Sequence, residues 1–255
     1  MSVYDSEHTL RNGLRFKTRP GTSDFNTVNA CACEDEYELE GVLRCSRLIF
    51  DIGAHIGGVA IWAASLGLKA VAVEPIPENC DLIRENATLN GVADRVTVVH
   101  AALGDPPQLL LRYMWNGEGR PRQEDEVAKI HSYIGNTGLG NEGFPADKEI
   151  WVPTVQLGDL IEAYGLPDVI KTDCEGGEWS LFSDPQVKRV PLIVGEWHDM
   201  AKGYIEDATG EWVETQSGYF FTDVERLLGA THDVTFSGQT EGAGGFRAVR
   251  IVPPL

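Results

Sequence analysis

Residues 47–75, RLIFDIGAHIGGVAIWAASLGLKAVAVEP, constrain the fold more than any other stretch. Leu48 to Phe50 is a short apolar run into Asp51, and Gly53 and Gly57 follow within the span of a strand-to-helix turn. Val59, Ile61, Trp62 and Leu66 then recur at helical spacing, and Gly67 supplies a stop. The next run, Lys69 to Val73, is nearly all apolar, as strands covered on both faces are, and it ends at Glu74-Pro75. Such a β-turn-α-β unit belongs to a parallel α/β sheet, with the turn's free N–H groups facing a ligand beyond the strand ends.

The turn discriminates among ligands. A carboxylate at position 74 suits paired ribose hydroxyls, and it lies 21 residues after Gly53, near the roughly 20 expected for dinucleotide sites as well. A nicotinamide or flavin fingerprint needs G-x-G-x-x-G, so that its second glycine admits a pyrophosphate; here that position is His55. Asp51-x-Gly53-x-x-x-Gly57 instead puts an acid where a cation is favoured. S-adenosylmethionine, with an ammonium, a sulfonium and no phosphate, matches it. The competing reading is an ordinary βα turn without a ligand.

Further along, the spacing predicts a helix over 78–89, a strand over 96–102, an extended segment at 108–115, a strand over 149–155, a helix over 157–164 and a strand over 168–172. Another apolar strand over 190–194 runs into Gly195-Glu196-Trp197-His198. The tail predicts a helix near 222–228 and a hairpin of strands over 232–236 and 246–252. The fold class expected is α/β: an open, mostly parallel seven-stranded Rossmann-like sheet with helices on both faces and an antiparallel C-terminal hairpin. A single domain over 1–255 is expected, with residues 1–47 as a lead-in covering the sheet or site mouth. Excursions at about 105–148 and 199–221 read as loops that cap a pocket.

The acids Asp51, Glu74, Asp173 and Glu196, with Ala102 and His198, fall at successive strand ends, where ligands collect in such sheets. A net charge of −18 disfavours phosphate backbones and hence a nucleic-acid partner. Five cysteines in no zinc or disulfide spacing read as reduced thiols. With no charged-then-apolar leader and no run approaching the roughly 18 apolar residues of a membrane span, a soluble, cytoplasmic protein is expected.

DIGAHIGG, AVEPIPENCDLIRENATLNG, VVHAALGD and IKTDCEGGEW together resemble the FkbM-type S-adenosylmethionine-dependent methyltransferases. The last segment is similar to that family's K-x-D-x-E-G-x-E signature. An upstream PGTSDF, followed at a distance by EDEY, is similar to the segment that precedes the cofactor domain, so the likeness frames about Arg19 to His198. The resemblance implies a class I methyltransferase fold and O-methylation of a hydroxyl on a sugar, polyketide or related small metabolite. It places Asp51, Gly53 and Gly57 around the methionine part, Glu74 at the ribose, Ala102 or a neighbour at the adenine, and Asp173 facing the methyl group; Ala54, His55 and Pro75, beside these positions, are expected at the cofactor as well, His55 as a backbone-positioning or cofactor-edge residue.

Methyl transfer needs a base near neutrality, and His198 suits this, with Asp173 as the alternative or as an orienting group. Asp173, Glu175, Glu178, Glu196 and His198 also form an oxygen-rich set of the kind that holds magnesium or manganese. The dipole of a helix starting at 178 explains such acids without an ion, so no metal is assigned. Two other classes stay open: a nicotinamide-dependent oxidoreductase and a non-catalytic cofactor-binding protein of the same fold.

Overall fold

The computed structural model describes residues 6–20, 22–104, 107–113, 133–135, 148–198, 204–206, 212–214, 221–240 and 243–251. Seven strands form the main sheet: β1 Leu48–Ile52, β2 Lys69–Glu74, β3 Val96–His100, β4 Val169–Thr172, β5 Leu192–His198, β6 His232–Thr240 and β7 Ala243–Arg250. Their order is β6-β7-β5-β4-β1-β2-β3. The five strands from β5 to β3 are parallel, while β7 runs antiparallel to both β5 and β6. This is the class I methyltransferase arrangement, with its reversed final hairpin.

The sheet is buried on both faces, and alternate strand residues divide between two cores as the period of two requires. Ile49, Ala70 and Ala72 point to one core, shared with helices α1 Asp24–Cys33, α2 Gly58–Ser65 and α3 Pro77–Leu89. Phe50, Ile52, Val71 and Val73 point to the other, shared with α4 Leu157–Tyr164, α5 Glu178–Ser183 and α6 Phe221–Leu228. Pro77 opens α3 at the position where a missing N–H costs nothing.

Chain order reverses between β1 and β4, where Asp51 pairs in register with Lys171. A crevice at the carboxyl ends of a parallel sheet is expected at that switch point.

Three sequence expectations are corrected. Helix α1 lies in the lead-in, where no helix is expected above, because DFNTVNACAC carries asparagines and β-branched residues that weaken its intrinsic propensity. It forms through packing against α2: a Cβ on Gly58 would lie 3.2 Å from Cys31 Cβ. The 105–148 excursion is not simply loop. Ala102–Leu103, Lys148–Val155, Gln108–Tyr113 and Tyr133–Gly135 form a second sheet in that order, so the third core strand stops at His100. The fifth core strand extends to His198, four residues past the expected end, since its edge pairs with β7. Most of both excursions lies outside the described residues. Trp151 is exposed, while the side chains of the other large aromatics in these segments, Trp115, Tyr133, Phe144, Tyr204 and Trp212, also fall outside them. Among the described residues, no helix is long and apolar enough to cross a membrane. All five cysteines are free thiols.

Candidate active site

The turn after β1 is fixed from three sides. Gly53 and Ala54 donate their N–H groups to Val73 O, at 3.0 and 3.2 Å, which ties the turn to β2. Lys171 Nζ donates to Gly53 O at 2.8 Å and lies 3.4 Å from Asp51 Oδ1. Asp51 Oδ2 in turn accepts from Ala60 N at 2.9 Å, in the first turn of α2. Burial opposes a charge on Lys171, but the neighbouring Asp51 and Asp173 outweigh it, and its pKa is raised. Asp51 and Lys171 thus form a buried pair behind the turn that holds it against the helix.

Gly53 is in the left-handed region, at φ 72°, and backs onto the Asp173 main chain, so only glycine fits there. His55 is also left-handed, at φ 51°. A non-glycine residue keeps that conformation only when its surroundings impose it. Here its N–H donates to Glu74 Oε2 at 2.8 Å, and its Nε2 lies 3.2 Å from Asp24 Oδ1.

Asp24 belongs to the lead-in. It is completely buried and accepts from Arg19 N, Nε and Nη2 at 2.7–2.8 Å. Burial alone would raise its pKa, but His55 and Arg19 outweigh burial and hold the carboxyl well below the usual carboxylate range. The lead-in therefore braces the turn, and Ser23 and Thr27 join the crevice wall.

Glu74, only 4% exposed, spends its carboxylate carefully. Oε1 accepts from Ile76 N and Asn79 Nδ2, both at 3.0 Å, while among the described residues Oε2 accepts only from His55 N. Each carboxylate oxygen offers two lone pairs, so Oε2 keeps one for a further donor. Burial raises the Glu74 pKa against these donors.

Across the turn, β4 and β5 deliver the second half of the site. Asp173 N donates to Ile52 O at 3.1 Å, and its Oδ2 accepts from the Tyr37 hydroxyl at 3.1 Å. Glu178, fully buried at the start of α5, accepts from His198 N at 2.7 Å and His198 Nδ1 at 3.0 Å through Oε1. Its other oxygen accepts from Gly176 N at 2.9 Å. A carboxylate on Nδ1 requires that nitrogen to carry the proton, leaving Nε2 toward the crevice. Nε2 lies 3.5 Å from Glu175 Oε2 and 3.7 Å from Glu196 Oε2.

Burial would lower the His198 pKa, but Glu178, Glu175 and Asp173 outweigh it and raise it to about 9. Glu175 moves up to about 7, chiefly through burial and against the opposing pull of His198. Glu175 is another left-handed non-glycine residue, at φ 53°.

His55, Glu74, Asp173, Glu175, Glu196 and His198 share one crevice of about 500 Å³, within the range of small-molecule sites. Of the residues expected at the site, Gly53, His55, Glu74 and Pro75 line it on the β1–β2 side. Ala102, Asp173 and His198 line it as well. Asp51, Ala54 and Gly57 do not: they lie behind the turn and set its shape. Sequence reasoning missed Tyr37, Asn79, Lys171 and the role of Glu178. Asp173, Glu196 and His198 place ligand-type atoms within 4.8 Å of one another.

The strand order and this two-sided crevice define the class I methyltransferase fold. The chain belongs to the FkbM methyltransferase family, whose domain model ("Methyltransferase FkbM domain") matches residues 51–228. S-adenosylmethionine is the cofactor of that family. Among curated proteins, the chain is 35% identical over 85 residues to a ribosomal protein L11 methyltransferase of Pelotomaculum thermopropionicum, covering 33% of this chain and 28% of that one. It is 34% identical over 84 residues to the protein of the same name from Desulfitobacterium hafniense, covering 33% and 26%. The chain thus spans less than a third of the length of these relatives. Among solved structures, an O-methyltransferase from Bacillus cereus in complex with SAH aligns at 16% identity over 90% of each chain, with a TM-score of 0.43. A putative O-methyltransferase from Klebsiella pneumoniae aligns at 17% over 92% of this chain and 90% of that one, also at 0.43.

Proposed function

We propose that the protein is an S-adenosylmethionine-dependent O-methyltransferase acting on a hydroxyl of a small metabolite. The observation that carries this reading is the continuity of one crevice from Glu74, past the Gly53 turn, to Asp173 and His198. The cofactor supplies an electrophilic methyl group on its sulfonium.

The residues present fit that group. Gly53 lets the backbone come close, and the open position on Glu74 Oε2 takes a ribose hydroxyl. Ile76, Ala102 and Leu103 give an apolar edge for the adenine. The Asp173 carboxylate faces the sulfonium end. No lysine or arginine lines the crevice among the described residues, as suits a phosphate-free ligand.

At the acceptor end, Glu178 holds His198 so that Nε2 faces the crevice. In its neutral form His198 takes the acceptor's proton while the crevice walls hold the hydroxyl in line with the methyl group. Metal-independent transfer is part of this reading: Glu178 and Glu175 already engage the His198 ring, and the start of α5 accounts for the Glu178 carboxylate without an ion.

A second reading, transfer to an amine, has support in the carboxylates Asp173, Glu175 and Glu196 around the acceptor end. Labelled-methyl transfer to a panel of sugars, phenols, polyketide alcohols, amines and basic peptides tests both. Label on a hydroxyl of a small alcohol supports the first reading. Label on nitrogen alone replaces it with the second, and no transfer to any member, despite cofactor binding, favours a catalytically silent protein.

A further inference from the structure

We infer that Tyr37 is a positioning residue of the methyl-transfer centre, acting through Asp173, and this rests on the functional reading above. Tyr37 sits well upstream of the β1 strand, in the lead-in. Yet its ring is packed against the α1–α2 core, and its hydroxyl reaches Asp173 Oδ2 at 3.1 Å across 136 residues of chain. Lys171 Nζ lies 5.6 Å from the centre of the same ring, so the cation that grips Gly53 O also packs on Tyr37.

Burial together with the nearby Asp173 charge raises the phenol pKa well above its ordinary value, so the hydroxyl keeps its proton and stays a donor. Tyr37 does not line the crevice, whereas Asp173 does. The geometry therefore separates two jobs. Asp173 presents one oxygen to the ligand, while Tyr37 holds the other and fixes the side-chain torsion. A single hydrogen bond from a packed ring achieves this at little entropic cost, because tyrosine has only two side-chain torsions to order. Residues 1–47 thus do more than cover the sheet: Asp24 braces the turn through His55, and Tyr37 braces the opposite wall.

Tyr37→Phe keeps the ring over Lys171 and removes only the donor. We expect it to fold normally, to lower kcat by roughly tenfold and to leave KM for the cofactor within about twofold. A readout independent of turnover is calorimetric binding of S-adenosylmethionine against its demethylated thioether. Wild type should favour the charged ligand. Tyr37→Phe and Asp173→Asn should each reduce that preference, and the double variant should lose no more than Asp173→Asn alone. Additive losses, or a preference in Tyr37→Phe equal to wild type, overturn the inference. If neither ligand binds wild type, the functional reading itself fails, which is a separate result. Should Tyr37→Phe prove unstable, Tyr37→Trp, which retains a ring and an N–H donor, must recover part of the preference; failure to do so also overturns the inference.

Discussion

Gly53 abuts the main chain of Asp173 so closely that a Cβ at position 53 would lie 1.8 Å from the Asp173 carbonyl oxygen. The turn after β1 and the end of β4 are therefore one rigid unit, and the two halves of the crevice cannot shift independently. Gly53→Ala should abolish cofactor binding and lower the melting temperature markedly, since backbone cannot yield as a flexible side chain would. Gly41→Ala is the control: nothing lies within 4 Å, its φ is ordinary, and its stability should change by about ±0.5 kcal/mol or rise slightly. A Gly53→Ala protein that binds the cofactor normally would show that the close approach is not needed.

The pH dependence separates two bases. With the His198 pKa raised to about 9, kcat/KM for the acceptor should climb as pH rises through about 9, where the neutral form accumulates. His198→Gln should remove that limb. Glu175, pushed up to about 7, is the competing base. A limb centred near 7 that survives His198→Gln and disappears in Glu175→Gln would move the role to Glu175.

The buried Arg19–Asp24 pair should dominate acid stability. Asp24 has a folded pKa below its unfolded value of 3.8, so its contribution is present above that value and is lost as pH falls through the folded pKa. Asp24→Asn removes the buried carboxylate that accepts from Arg19 N, Nε and Nη2 and should cost about 1–3 kcal/mol near neutral pH. Denaturant melts should show the gap between wild type and variant constant above about pH 5 and shrinking in stronger acid. Because the His55 ring loses the Asp24 carboxylate too, cofactor affinity should fall in parallel. A pH-independent gap would mean that Asp24 contributes by packing alone.

Turnover in excess chelator tests the metal-free reading of Asp173, Glu196 and His198. Full activity is expected. Loss on chelation, with recovery on adding magnesium or manganese, would reassign those three groups as ligands.

The parts of this molecule that were legible in the sequence are those governed by local chemistry. The turn at Gly53, the apolar strands Leu48–Ile52 and Lys69–Glu74 and the acid ending the second each carry their signal within a few residues, and the sheet follows from their alternation with helices. Glu74, Asp173 and His198 could be named because strand ends in a parallel sheet converge. What stayed hidden depends on contacts distant in sequence. Tyr37 meets Asp173 across 136 residues, and Glu178 captures His198 across 20. No periodicity marks these partners. Asp51 shows the limit from the other side: its type and spacing suggested a ligand contact, yet only the fold reveals that Lys171 and Ala60 use its carboxylate. Helix α1 was missed because tertiary packing on Gly58 outweighs weak local propensity.

Calorimetric titration of S-adenosylmethionine and NAD into wild type and Glu74→Ala is the most direct measurement. We expect saturable binding of S-adenosylmethionine, none of NAD, and a loss of about 1–3 kcal/mol on removing the Glu74 carboxylate. Binding of NAD alone, or equal affinity for S-adenosylmethionine in both proteins, would contradict the account.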